Sequence, residues 1–175
     1  IAEFIIEERK KNGPFKSVEN FLSRIHDRNL NKKSMEALIK SGSFDNLGER
    51  GELLANMDRL LEYNKELVAN KDQDSLFASV PSVDALRLDP APAATDALRL
   101  TWEKELLGLY ISGHPLDQFK EKLAKRQGTI NQMKETYRDG ITAVIAGIVE
   151  ESKPIFTKSG DKMAFVKVAD YDGAI

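Results

Sequence analysis

Apolar residues recur every three to four positions through the first third of the chain, which is the period of an amphipathic helix. Gly13 and Pro14 predict that a first helix ends near Asn12, because glycine can cap it and proline cannot continue its hydrogen-bond ladder. A second helix is predicted to open at the cap Ser17. Its apolar face is predicted to be core, and it is formed by Val18, Phe21, Leu22 and Ile25.

A third helix is predicted to begin after the cap Asn31 and to end at Ser41-Gly42. The following loop, residues 42–48, contains two glycines and leads into a long fourth helix that carries Leu53, Leu54, Met57, Leu60 and Leu61. This order of helix, short glycine turn and helix predicts a helix-hairpin-helix layout.

Glycines in such a turn let backbone amides approach a DNA phosphate, and the start of the next helix adds a favourable dipole. Binding of this kind reads no base sequence. The predicted duplex-DNA site comprises the turn and its basic neighbours: Lys32, Lys33, Lys40, Ser41, Gly42, Ser43, Gly48 and Arg50. In the alternative interpretation the segment is a plain helical hairpin, with Gly42 as a helix cap and Phe44 and Leu47 filling the core.

The charge distribution favours the first interpretation. The net charge of the chain is −2, but the segment from Arg9 to Lys40 carries nine basic residues against three acidic ones. A basic segment of this kind can face phosphates. Alternatively, these are ordinary solvated helix residues.

Residues 67–96 lose the helical pattern and contain Pro81, Pro90 and Pro92, as a linker does. A helix is predicted from about Asp96 to Tyr110. From Ile141 the period changes: residues 142–149 form a β-type apolar run, residues 158–161 a hairpin turn, and residues 163–168 a second strand.

The strands fit the opening of an oligonucleotide-binding (OB) barrel, in which such strands carry single-stranded nucleic acid. Phe156 and Phe165 are either stacking platforms for bases or core residues. The fold class predicted is mainly α, followed by the first strands of an OB-type β-barrel. The predicted regions are 1–66 (helix-hairpin-helix), 67–96 (linker), 97–139 (helical connector) and 140–175 (incomplete OB domain).

Composition excludes several classes of protein. There is no cysteine, which removes disulfides and thiolate metal sites. Of the two histidines, His114 has no second histidine, cysteine or carboxylate at metal-ligand spacing, and a structural role is expected for it. No apolar run approaches the roughly 20 residues that cross a bilayer. We therefore expect a cytoplasmic protein without a membrane partner, and the sequence reads as an excerpt that is cut at both ends.

The pentapeptide Gln73-Asp74-Ser75-Leu76-Phe77 resembles the sliding-clamp-binding motif of bacterial replication proteins. In that motif the two apolar anchors enter a pocket while the glutamine amide binds at its rim, so the clamp-binding residues implied are Gln73, Leu76 and Phe77. The family motif usually has leucine or another residue second, and Asp74 departs from it.

Together with this peptide, residues 5–9, 13–17, 31–33, 36–45, 103–117 and 144–149 resemble, in the same order, the C-terminal half of the alpha-subunit family of bacterial DNA polymerase III. The resemblance implies a tandem helix-hairpin-helix region, an internal clamp-binding motif and an OB domain. The implied partners are duplex DNA, single-stranded template, the beta sliding clamp and other replicase subunits.

The resemblance also implies that the parent protein is a magnesium-dependent DNA polymerase. No acidic residues lie on adjacent predicted strands to hold two metal ions, so we predict no catalytic residue, metal or cofactor in this segment. The alternative from another class is a non-enzymatic DNA-binding adaptor that tethers to a clamp. A helical scaffold without a role in nucleic-acid binding is a further alternative.

Overall fold

The computed structural model describes residues 1–27, 29–72, 85–125, 128–138 and 140–175. The chain divides into two compact units, unit 1 (Ile1–Tyr110) and unit 2 (Ile111–Ile175). The predicted clamp-binding residues Gln73, Leu76 and Phe77 lie outside the described residues.

Unit 1 is helical in its described part. Its helices are α1 (Ala2–Asn12), α2 (Val18–Arg24), α3 (Lys32–Lys40), α4 (Arg50–Ala55), α5 (Met57–Asp72) and α6 (Asp96–Leu107). The two described strands lie near the C-terminal end of the chain, in unit 2. The prediction of a mainly helical chain followed by β-strands is confirmed.

The core of unit 1 forms where the apolar faces of α2 to α5 meet. All four residues predicted from the face of the second helix are buried, and Phe21 packs edge-on against Phe44 with ring centroids 4.7 Å apart. The other buried residues of this core are Leu30, Met35, Ile39, Leu53, Met57 and Leu60. Burying an aliphatic or aromatic side chain contributes about 1.5–3 kcal/mol, so this cluster is the main source of stability in unit 1.

Both predicted N-caps are present. The Ser17 side chain accepts a hydrogen bond from the amide of Asn20, and the Asn31 side chain accepts one from Ser34, whose hydroxyl accepts in turn from the Asn31 amide. Each cap satisfies an amide that has no partner inside the helix, which is worth about 1 kcal/mol.

The predicted long fourth helix is wrong in one respect, because it is two helices divided at Asn56. The Asn56 amide group donates to the carbonyls of Glu52 and Asp89 and accepts from the Asp89 amide. The break between the two helices therefore puts the Asn56 side chain where it can pair with the backbone of Asp89, in the segment that follows residue 84.

The helix predicted to reach Tyr110 ends at Leu107, because Gly108 adopts φ +74° and closes the last turn with a hydrogen bond to Lys104. None of the helices in the described residues is long and apolar enough to span a membrane.

Unit 2 contains α7 (Lys120–Ala124), α8 (Ile130–Thr136) and an antiparallel hairpin of β1 (Ile148–Phe156) and β2 (Lys162–Ala169). The predicted turn is confirmed, with Gly160 at φ +90° and the Thr157 amide bound to Asp161. The predicted position of the first strand is wrong. Pairing begins beside the turn, Phe156 opposite Lys162, so the turn and not the apolar run at 142–149 sets which residues pair.

Candidate nucleic-acid interface

The turn between α1 and α2 is held from within by Arg24 of α2. Its guanidinium donates to the backbone carbonyls of Glu8, Gly13 and Pro14 at 3.1, 2.9 and 3.4 Å, and to the Glu8 carboxylate at 2.9 Å. The guanidinium also lies 4.3 Å from the centre of the Phe15 ring. The hydrogen bond from Arg24, helped by one from Asn12, lowers the pKa of Glu8. Arg24 therefore caps the end of α1 and fixes the path of the turn.

The turn between α3 and α4 is held in the same way by Arg50 of α4. Arg50 makes two hydrogen bonds of 2.7 Å to the Asp45 carboxylate, one of 2.9 Å to Glu103, and one of 3.2 Å to the carbonyl of Lys40. Arg50 is 2% exposed and Glu103 is fully buried. The hydrogen bonds to Asp45 raise the pKa of Arg50, burial opposes them, and Glu103 adds to the increase.

This burial corrects the prediction for Arg50. The sequence placed its guanidinium on the DNA-facing surface, whereas the structure directs its donors to carboxylates and a carbonyl of the protein. No local pattern marks Glu103 as its partner, since the two residues are 53 positions apart.

Gly42 serves the packing of Arg50. Its φ is +82°, and a β-carbon at this position would meet the guanidinium of Arg50. The amides of Gly42, Ser43 and Gly48 donate to the carbonyls of Ile39, Leu38 and Phe44. These amides close the turn, which corrects the prediction that they face a phosphate.

Ser41 likewise binds inside the turn, with its hydroxyl 3.0 Å from the Leu38 carbonyl and 2.9 Å from the hydroxyl of Ser43.

The lysines of α3 differ in their surroundings. Lys32 is exposed and pairs with Asp58 at 3.0 Å. Lys40 pairs with Glu36 and lies 5.6 Å from the centre of the Trp102 ring. Lys33 is exposed and, within the described residues, has no carboxylate at salt-bridge distance.

The two aromatic residues of the hairpin lie on opposite faces of the sheet. Phe156 is opposite Lys162, so these two side chains share a face, and Phe165 forms the other pair with Lys153. Phe165 is three residues after Lys162 on β2, and an odd separation along a strand places two side chains on opposite faces. Both rings are open to solvent, at 72% and 61% exposure. A single strand of nucleic acid running along one face therefore meets one of these rings.

The hairpin is fixed within unit 2 by the turn that follows β2. Asp170 accepts hydrogen bonds from the amides of Ile130, Asp172 and Gly173. Burial raises the pKa of Asp170, but these amides outweigh it and the pKa lies below the ordinary value.

His114 lies in the same unit, with its ring centre 4.5 Å from that of Tyr171. The Tyr171 hydroxyl donates to Asp117 at 2.9 Å. This arrangement agrees with the structural role that the sequence suggests for His114.

Within the part of the chain that the structure describes, no three histidine, cysteine, aspartate or glutamate side chains are grouped so as to hold a metal ion. The described carboxylates do not fit the magnesium ions implied by the resemblance, and we derive no catalytic step from them.

Comparison with known families supports the helical interpretation of unit 1. The family described as "Helix-hairpin-helix motif" matches residues 1–53, which contain α1 to α3, both turns and the start of α4.

Comparison with curated proteins finds relatives over essentially the whole chain. DNA polymerase III subunit alpha of Borreliella burgdorferi is 38% identical over 185 aligned residues, which cover 100% of this chain and 16% of that protein. The subunits of the same name from Aquifex aeolicus and Thermus aquaticus are 38% and 33% identical, covering 99% of this chain and 14% of each relative. The chain thus spans about one sixth of the length of the curated relatives it matches.

Proposed function

We propose that this chain is a segment of the alpha subunit of a bacterial DNA polymerase III and that it binds DNA and the sliding clamp for the whole protein. The alignment with proteins of that name over the full chain, at 33–38% identity in the three relatives, supports this assignment. In this proposal the whole protein is a cytoplasmic, magnesium-dependent DNA-directed DNA polymerase that works with other replicase subunits.

Unit 1 is proposed to bind duplex DNA through its backbone phosphates, without sequence preference. The observation that carries this proposal is the match of residues 1–53 to the helix-hairpin-helix motif, at two successive helix–turn–helix arrangements. Each turn has a glycine at positive φ, Gly13 at +80° and Gly42 at +82°, and each is held by an arginine from the following helix. Rigid turns of this kind present fixed surface charge at little cost in ordering.

Fluorescence anisotropy of the full chain with two 20-base-pair duplexes of unrelated sequence tests this function. We expect equal affinities for the two duplexes and a log–log salt dependence with a slope of about −0.9 for each phosphate contact. Absence of binding at 50 mM salt, or a strong preference for one duplex, would contradict duplex binding of this kind.

The segment between α5 and α6 is proposed to dock on the beta sliding clamp through Gln73, Leu76 and Phe77. The support is the peptide sequence alone, since these residues lie outside the described part of the chain. Clamp tethering raises the effective concentration of the polymerase at the primer end, and processivity follows as an avidity effect.

Calorimetry with a bacterial clamp tests the docking. The double substitution Leu76→Ala with Phe77→Ala is expected to abolish binding, because apolar anchors dominate interfaces of this size. The matched control is Asp74→Ala with Ser75→Ala, which leaves the anchors in place. Equal affinity of the anchor variant and the unaltered chain would refute the assignment.

The hairpin of unit 2 is proposed to contribute to an OB domain that binds single-stranded template. The exposed aromatic rings on the two strands support this proposal, because bases stack on aromatic side chains in such domains.

Primer extension is proposed to depend on residues of the whole protein that this chain does not contain. The chain alone, with magnesium, primer-template and four deoxynucleotides, is therefore expected to extend no primer. Extension by a preparation free of host polymerases, lost on substitution of an acidic residue of this chain, would refute this.

A further inference from the structure

The turn between α1 and α2, here called the first turn, and the turn between α3 and α4, here called the second turn, are built alike but differ in where their positive charge lies. In the second turn, Arg50 is buried and Lys40 is paired with Glu36. In the first turn, Arg24 is likewise used inside the protein. Four further cations bracket the first turn within eight residues of chain: Arg9, Lys10, Lys11 and Lys16.

These four side chains, which we call the basic turn, are exposed. Within the described residues none of them has a carboxylate at salt-bridge distance. Their charge is thus available to an external anion.

We propose that the basic turn is the surface of unit 1 that contacts the phosphates of duplex DNA. This inference rests on the proposed function and moves the contact from the turn at Gly42 to the turn at Gly13. An unpaired cation that meets a DNA phosphate releases a counterion from the DNA, and this release favours binding. A lysine that is already paired with a carboxylate must first give up its partner.

The turn that carries these cations is held in place before DNA arrives. Arg24 binds the carbonyls of Gly13 and Pro14, and the Lys16 amide donates to the side chain of Asn20 at 3.2 Å. Gly13 combines φ +80° with ψ −179°, a conformation that glycine adopts almost alone. A rigid turn loses little conformational entropy on binding.

The backbone at this end of α1 does not attract anions, because the C-terminal end of a helix carries the negative end of its dipole. Arg9, Lys10 and Lys11 lie in the last turn and offset that dipole, and Lys16 lies beyond the helix. The contact therefore depends on the side chains, so neutralising them removes it.

The experiment compares three variants of the full chain by anisotropy with a 20-base-pair duplex, from about 50 to 200 mM salt. The first replaces Lys10, Lys11 and Lys16 with glutamine. The second, a control with the same change in net charge, replaces three exposed lysines of unit 2: Lys120, Lys122 and Lys125. The third replaces Lys32, Lys33 and Lys40 in the same way. Glutamine preserves helix propensity, and equal urea midpoints establish that each variant is folded.

The first variant is expected to bind on the order of 100-fold more weakly at about 0.15 M salt, with a salt slope smaller by about 3. The control is expected to keep the slope of the unaltered chain. Equal slopes for the first variant and the unaltered chain, or a larger loss in the third variant, would overturn the inference while the proposed function stands. If the unaltered chain itself binds no duplex, the proposed function fails as well.

Discussion

Replacement of Arg50 with methionine is expected to destabilise unit 1 strongly. The guanidinium is 2% exposed and lies 2.9 Å from the fully buried carboxylate of Glu103. Methionine retains the apolar stem but leaves that carboxylate without its arginine. Removing one partner of a buried ion pair costs about 3–5 kcal/mol. A typical domain is stable by about 5–15 kcal/mol, so the loss is a large part of the total.

Urea unfolding followed by tryptophan fluorescence measures this change in unit 1, because the chain has a single tryptophan, Trp102, and it lies in α6. With a slope of about 1–3 kcal/mol per molar urea, the midpoint is expected to fall by about 2 M. The fraction of Arg50→Met that stays folded should bind duplex DNA as the unaltered chain does, since its guanidinium faces the protein interior.

A second variant separates charge burial from packing. Combining Arg50→Met with Glu103→Leu removes both charges and is expected to recover most of the lost stability, because apolar replacement of a whole buried pair is often neutral. A loss below about 1 kcal/mol for Arg50→Met, or no recovery in the double variant, would refute the reasoning.

The remaining predictions concern a glycine, a carboxylate and a pair of aromatic residues. Gly42→Ala should lower the urea midpoint more than Gly13→Ala, because both have positive φ but only a β-carbon at position 42 meets another side chain; equal losses would contradict this. Asp170, whose pKa is lowered, stabilises unit 2 fully above the pKa of an unfolded aspartate, about 4, and loses this effect as the pH falls further. Asp170→Asn should reduce the acid dependence of unit 2, as measured by tyrosine circular dichroism against pH, and leave the part that comes from Asp117, whose pKa is also lowered. Only one of the two substitutions Phe156→Ala and Phe165→Ala should weaken single-strand binding, by about 1–3 kcal/mol, because the two rings lie on opposite faces of the hairpin; equal losses in anisotropy would exclude one-face binding.

Local chemistry made the first three helices predictable. Ser17 and Asn31 cap from side chains that are three residues from their targets, and Gly13 follows the last residue of α1. The apolar face of α2 is buried as its spacing predicts, because the spacing of apolar residues along a helix decides which face packs into the core. All of these features are decided within a few residues of chain.

Features decided by distant residues were missed. Asn56 divides a helix because it pairs with the backbone of Asp89, and Arg50 is buried because Glu103 meets it. The first strand lies after the apolar run since pairing starts from the turn at Gly160. An apolar run records a preference for burial, and it does not specify the partner strand or the register.

The matching arginines also imply a difference in timing during synthesis. Arg24 meets Glu8 across 16 residues, whereas Arg50 meets Glu103 across 53. The longer loop costs about 1 kcal/mol more entropy to close. The hydrogen-bond partners of the first turn are all present once Arg24 has left the ribosome. After Arg50 has been made, the second turn must wait for about 50 further residues before Glu103 is present, which takes several seconds at about 5–20 residues per second. Until then Arg50 has only Asp45 and the Lys40 carbonyl, so the chain gains its two similar turns one after the other.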